Sequence, residues 1–218
     1  MEPRWIERLR DLGACTKAIE WAKGYSSLQA AWDACERGDR MLWLWGRMSG
    51  EDSQALVLAV CKCVRLALKY VPKSESRLLK VLQTIEKWAR GKATLEEVQI
   101  AATYTNAAAY TTYTDAAYAA YAAHVNSVAY ANVAVKATAN AVAYANANAT
   151  VKATAYANAA TYAAYTAAYA AIANATAYTD DADAVDAAYA AAKAKALKRC
   201  AKIVRKVMPK PPRLGKCA

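Results

Sequence analysis

Apolar and polar positions alternate along this chain in two different rhythms, and the change comes near residue 98. Up to that point apolar residues recur every three to four positions, which is the spacing of helices buried on one side. In "SSLQAAWDACERG" (26–38) one face carries Leu28, Ala31, Trp32 and Cys35, with Ser26 placed to cap the amino end and Gly38 to stop the helix. Asp39 is then expected to cap "RMLWLWGRM", and Asp52 or Ser53 to open the apolar "ALVLAVCKCVRLALKYV" (55–71), which Pro72 closes. Ser74 leads into "ESRLLKVLQTIEKWARG", where Leu78, Leu79, Leu82, Ile85 and Trp88 share a face and Gly91 ends the helix. Thr94 and Glu97 form a capping box for the helix that follows.

Beyond residue 98 the rhythm blurs. In "AYANVAVKATANAVAYANANATVKATAYANA" (129–159) Ala occupies nearly every odd position, a two-residue period that suits a strand. Two observations favour helix instead. Ala packs sheets poorly and is the best helix former, and the chain has neither Gly nor Pro between Gly91 and Pro209, so the tight turns of a sheet are missing. Unbroken, that run would be a rod of about 175 Å at ~1.5 Å per residue. Breaks are therefore expected at the Thr/Asn clusters 103–106, 111–115, 124–127 and 177–181, whose side chains compete for backbone hydrogen bonds. A last helix is expected from about 180 to 207, capped by Thr179, acidic in its first turns, basic in its last, and stopped by Pro209.

Composition sharpens this division. Residues 101–192 contain 42 Ala in 92 positions and no Leu, Met, Trp, Cys, Gly or Pro, whereas all six Trp lie before residue 98. The expected fold is all-α: a Trp/Leu-rich multi-helix bundle (1–98), a closely packed Ala/Tyr/Asn/Thr-rich helical tract (99–178), and a basic carboxyl-terminal helix and tail (179–218) packing back on both. Small side chains let helix axes approach closely while Tyr fills the gaps. With 57% hydrophobic and 22% charged residues over 218 positions, the chain has the material for a core.

The net charge of +11 is uneven: residues 1–98 hold 17 basic and 13 acidic side chains, 99–192 hold 2 and 5, and 193–218 hold 10 and none. Lys198, Arg199, Lys202, Arg205 and Lys206 are thus candidate contacts for an anion or, without sequence specificity, for nucleic acid. A solvated helix end facing its own dipole is the plainer account. The opening "MEPRWIERLRDLG" does not read as a secretory signal, and Lys62, Arg65 and Lys69 interrupt the most apolar run, so a cytoplasmic or phage-particle location away from membrane is expected, with the six cysteines reduced.

Candidate chemistry is sparse. His124 is the sole histidine, which rules out multi-histidine metal sites. Cys61 and Cys63 in "CKC" point about 200° apart on a helix and read as buried thiols. The "RGD" of 37–39 is explained by a helix stop and cap, and Asp180, Asp181 and Asp183 by a helix start. Phosphate loops, paired catalytic carboxylates and nucleophile elbows do not occur, and neither an enzyme nor a cofactor is expected. Trp32, Trp43, Trp45 and Trp88 read as core more than as a binding surface. The stripe of Tyr118 and Tyr121, continued by Tyr162, Tyr165 and Tyr169, is divided between packing and an exposed interface.

In their joint order, "LGACTKAIEWAKGYSSLQAAWDACERGDRMLWL" (12–44), "LVLAVCKCVRLALKYVP" (56–72), "IEKWARGKATLEEV" (85–98), an Ala/Tyr tract and "AKALKRCAKIVRKVMP" (194–209) resemble the immunity-type proteins encoded by bacteria and phages. The resemblance spans nearly the whole chain and implies an all-helical protein acting in toxin immunity. It carries no functional residues over. The chain departs from the pattern at Arg40, where such proteins commonly have Trp, and in the Asn, Thr and Val residues of 125–160. The function expected is a non-enzymatic module that binds a protein partner, a toxin or copies of itself, through a helical surface. The alternatives are a self-assembling structural protein such as a virion component and, further off, an ice-binding protein.

Overall fold

The dominant feature of the computed structural model, which describes residues 2–48, 53–70, 76–109, 131, 133–140, 142, 149–175 and 181–214, is helix in every regular segment, with no strand among the described residues. In chain order these are α1 (Arg4–Asp11), α2 (Thr16–Ala22), α3 (Leu28–Ala34), α4 (Gly38–Met48), α5 (Ser53–Leu68), α6 (Ser76–Trp88), α7 (Leu95–Ala109), α8 (133–140), α9 (Ala149–Ala175) and α10 (Ala182–Val207). The described part of the alternating 129–159 stretch is helical, as Ala's backbone preference dictates.

Local signals set several boundaries. Thr94 N donates to Glu97 Oε2 at 2.6 Å and Glu97 N donates to Thr94 Oγ1 at 3.1 Å, a reciprocal capping box at the start of α7. Gly91 adopts φ +69°, the left-handed conformation that ends α6 without a Cβ penalty. Asp181 caps α10 by accepting from Asp183 N and Ala184 N, at 3.0 and 3.4 Å. Thr179, Asp52, Pro72 and Ser74 lie outside the described residues.

Other expectations are corrected. The cap of α3 is Ser27 and not Ser26: Ser27 is extended, and its Oγ accepts from Ala30 N, the third amide of the helix, at 3.1 Å. Gly38 does not stop α3, which ends at Ala34, but begins α4. A Cβ there would collide with Cys200 and stand 2.7 Å from Ala201 N, so Gly is needed for α10 to cross α4. Asp39 is not a cap either; it sits buried in the first turn of α4, forked to Arg37 at 2.9 and 2.6 Å. The Thr/Asn cluster 103–106 breaks nothing, since it lies within α7, where the Thr103 hydroxyl donates to the Ile100 carbonyl at 2.7 Å. The clusters at 111–115 and 124–127, and residues 177–180 of the last one, fall outside the described residues.

One hydrophobic cluster runs from Ile6 and Ile19 through Leu42, Val57, Val60, Leu82 and Ile85 to Val98, Val135, Tyr156, Ala160, Cys200 and Val204. Two helices occupy its centre. α5 is buried nearly all round: Leu56, Val57, Ala59, Val60, Cys61, Cys63, Val64 and Ala67 are all solvent-free, which is why two cysteines on opposite faces are both inaccessible. Arg65 leaves this core to clasp Glu86 of α6, with Nε–Oε1 at 2.5 Å and Nη2–Oε2 at 2.8 Å.

α9 packs against α4, α5 and α10 and buries Ala153, Tyr156, Ala159, Ala160, Ala163, Ala164, Thr166, Ala167 and Ala168. Its slimness is matched by its neighbour. A Cβ on Gly46 of α4 would stand 2.5 Å from Ala153 Cα, so the two backbones touch where both side chains are minimal. Buried hydroxyls in this region find their partners within the helix: Thr138 Oγ1 donates to the Ala134 carbonyl at 2.9 Å, and Thr166 Oγ1 to that of Tyr162 at 3.0 Å.

Candidate functional site

The short helices at the amino end surround a cleft. After α1 the chain reverses at Gly13, whose φ of +84° favours glycine, and α2, α3 and α4 follow at brief intervals. Each of the four helices contributes one tryptophan wall: Trp5 from α1, Trp21 from α2, Trp32 from α3 and Trp43 from α4. Ala157, Asn158 and Thr161 of α9 complete the lining, and the enclosed space is about 460 Å³. That volume lies within the ~300–1,000 Å³ range of ligand pockets.

The walls are held from behind. Trp32 Nε1 donates to the Met208 carbonyl at 3.3 Å, and Arg205 Nη1 donates to the carbonyls of Trp32 and Cys35 at 3.1 and 2.6 Å. The end of α10 thereby clamps the carboxyl-terminal carbonyls of α3, where a cation opposes the negative end of the helix dipole. Trp21 packs at a tilt on Tyr25 with ring centroids 4.8 Å apart, and the Arg47 guanidinium lies 6.0 Å from the Trp43 ring centroid. Trp5 has its Nε1 buried with no hydrogen-bond partner among the described residues.

The charged side chains lining the cleft are Lys17, Arg37, Arg40 and Asp39, of which Arg37 and Asp39 neutralise each other. Lys17 and Arg40 leave the opening positive. The "RGD" tripeptide is thus folded into the rim: Asp39 is buried and engaged by Arg37, a geometry unlike an extended adhesive loop. Of the two thiols in the lining, Cys15 is exposed and Cys35 is buried, and burial pushes the Cys35 thiol pKa up, keeping it protonated.

The remaining residues singled out from sequence are dispersed. Trp45 and Trp88 are half-buried against the core, away from the cleft lining. Tyr118, Tyr121, His124 and Asp180 lie outside the described residues. Tyr162, Tyr165 and Tyr169 are half-buried: Tyr162 meets Tyr165 edge-on at 6.2 Å, the Lys193 ammonium of α10 sits 4.4 Å from the Tyr165 centroid, and Tyr169 meets Tyr189 of α10 edge-on at 5.5 Å. Of the basic residues, Arg205 faces inward as described, Lys198 pairs with Glu36, and Arg199, Lys202 and Lys206 are exposed. Cys61 and Cys63 are sealed in α5, and among the described residues no three His, Cys, Asp or Glu side chains gather as metal ligands would.

Trp5 and Trp21 escaped the sequence reading. They join Trp32 and Trp43 only where α1 to α4 fold together, a meeting that no local spacing announces. No family model, curated protein or solved structure matches the chain. No described helix is long and apolar enough to cross a membrane.

Proposed function

We propose that this chain is a non-enzymatic protein-binding module of the toxin-immunity type, and that its cleft receives an apolar segment of the partner protein. The observation that carries this reading is the wall of four tryptophans around about 460 Å³ of space. Tryptophan is the side chain most enriched where protein partners bind tightly, because it offers a large rigid surface and a single N–H donor. Lys17 and Arg40 favour a partner that is acidic beside its apolar anchor.

The test is site-specific photo-crosslinking in the full chain. A benzophenone side chain at Lys17, on the cleft, gives a discrete adduct with a toxin that the chain protects against, and Leu28→Arg, which fills the cleft, abolishes both adduct and protection. A benzophenone at Lys80 of α6, which does not line the cleft, gives no adduct. Equal adducts from both positions, or protection that survives Leu28→Arg in a folded variant, would defeat the proposal.

A further inference from the structure

We infer that a second cavity, between the end of α5 and the α9–α10 seam, is a binding site for a small phosphate-type oxyanion. It encloses about 230 Å³, below the ~300 Å³ at which drug-sized ligands begin to fit, so it admits an oxyanion with little attached to it. Three cations line it, Lys69 just after α5 and Lys195 and Arg199 on α10, and no lining residue is acidic.

The alanines make the hole and the cations make it positive. Ala167 and Ala171 of α9 face Ala192 and Ala196 of α10 across it, and any larger side chain at these positions would occupy the space. Lys195 and Arg199 stand four residues apart on one helix face, where like charges disfavour the helix. Lys69 adds a third positive charge while its ammonium rests 4.4 Å from the Tyr70 ring centroid. Among the described residues none of the three meets a carboxylate, in contrast to Lys198, the residue just before Arg199, which pairs with Glu36. Helix-end electrostatics account for Lys69, which follows the last turn of α5. They do not account for Lys195 and Arg199, which lie well inside α10, since dipole effects fade beyond the last turn. A bound dianion removes the mutual repulsion of all three and offers the Arg199 fork a bidentate partner.

A phosphate group reaches such a site on a free small molecule or on a nucleic-acid strand. The size of the cavity favours the free molecule, because strands are followed along grooves by successive contacts. This inference is independent of the tryptophan cleft.

Inorganic phosphate is the probe, added to the full chain at ionic strength held constant with sodium chloride, with melting temperature and calorimetric titration as readouts. The expected result is a saturable rise in melting temperature with phosphate. Arg199→Gln and Lys195→Gln each weaken phosphate about tenfold or more, the size of one lost charge-assisted hydrogen bond, while Lys202→Gln on the exposed side of α10 leaves it unchanged. Without phosphate the two lining variants melt no lower than the parent, because they relieve repulsion. A response to phosphate no larger than to chloride overturns the inference, as does equal weakening by Lys202→Gln. So does lower stability of the lining variants without phosphate. Single-stranded DNA that binds at these residues tightly and is not displaced by phosphate assigns the cavity to nucleic acid and overturns it as well.

Discussion

α5 and α9 are both enclosed by neighbours on most sides, yet they are built from opposite materials. α5 fills its surroundings with Leu56, Val57, Val60 and Val64 and gains stability from the apolar area these side chains withdraw from water. α9 offers mainly alanine, which withdraws little area. Its contribution comes from helix propensity and from backbone approach close enough that Gly46 of α4 touches Ala153. The contrast teaches that a low-complexity segment can serve as the centre of a core, provided that its neighbours are equally slim at the crossing points. A volume-filled helix is damaged by removing atoms, and a closeness-packed one by adding them.

The largest effect is therefore expected where volume is removed from the first kind of packing. Leu82→Ala, at a fully buried position of α6 in the same core, should lower unfolding free energy by about 2–5 kcal/mol in urea titration. A loss under ~1 kcal/mol would mean that the region is loosely packed. Next comes the addition of a single methyl group to the second kind. Gly46→Ala should destabilise by about 1–3 kcal/mol although Ala is the better helix former, whereas Gly24→Ala, where the new Cβ meets an ordinary 3.5 Å contact, should be neutral or gain up to ~1 kcal/mol. Equal effects at the two glycines would erase the distinction.

The buried thiols give a smaller effect with a definite sign. Burial raises the pKa of Cys35 and Cys61, and a hydrogen bond with Cys200 together with burial raises that of Cys63. In the unfolded chain these thiols return to about 8.5, so the unfolded state releases protons first as pH rises. Their contribution is therefore intact below pH ~8.5 and is lost above it, by up to ~1.4 kcal/mol per pH unit for each thiol. Urea titrations between pH 7 and 10 should show this decline, and Cys61→Ala should make it shallower; an unchanged slope would place the titration elsewhere. Smallest of all is Thr166→Val. Among the described residues its hydroxyl bonds only the Tyr162 carbonyl four residues back, so melting should shift by the equivalent of about 1 kcal/mol or less. A larger loss would indicate that the hydroxyl has a partner beyond its own helix.

What the sequence made legible followed from the range of the interactions involved. The capping box of Thr94 and Glu97 and the stop at Gly91 are settled within a few residues, and both were readable. The helical state of the described part of the alternating stretch was readable because backbone preference is also local. Gly38 was misread as a stop because its reason lies on α10, 162 positions away, where Cys200 passes. Arg205 looked like one more surface cation of a basic tail, but the carbonyl end of α3 lies across from it. The tryptophan cleft was half legible: Trp32 and Trp43 stood out, while Trp5 and Trp21 joined them only through the folding together of four short helices. Of the cation-lined cavity only Arg199 stood out in the sequence as an anion contact, since Lys69 and Lys195 are far apart in the chain and become neighbours only when α10 packs on α5.

Amide hydrogen exchange along α9, compared with α5, tests most directly whether closeness alone makes a core. The amides of Ala159 to Ala168 are predicted to exchange as slowly as those of Val57 to Val64, through the same global unfolding and with the same dependence on denaturant. Exchange of the α9 amides by local opening, orders of magnitude faster than in α5, would contradict the account.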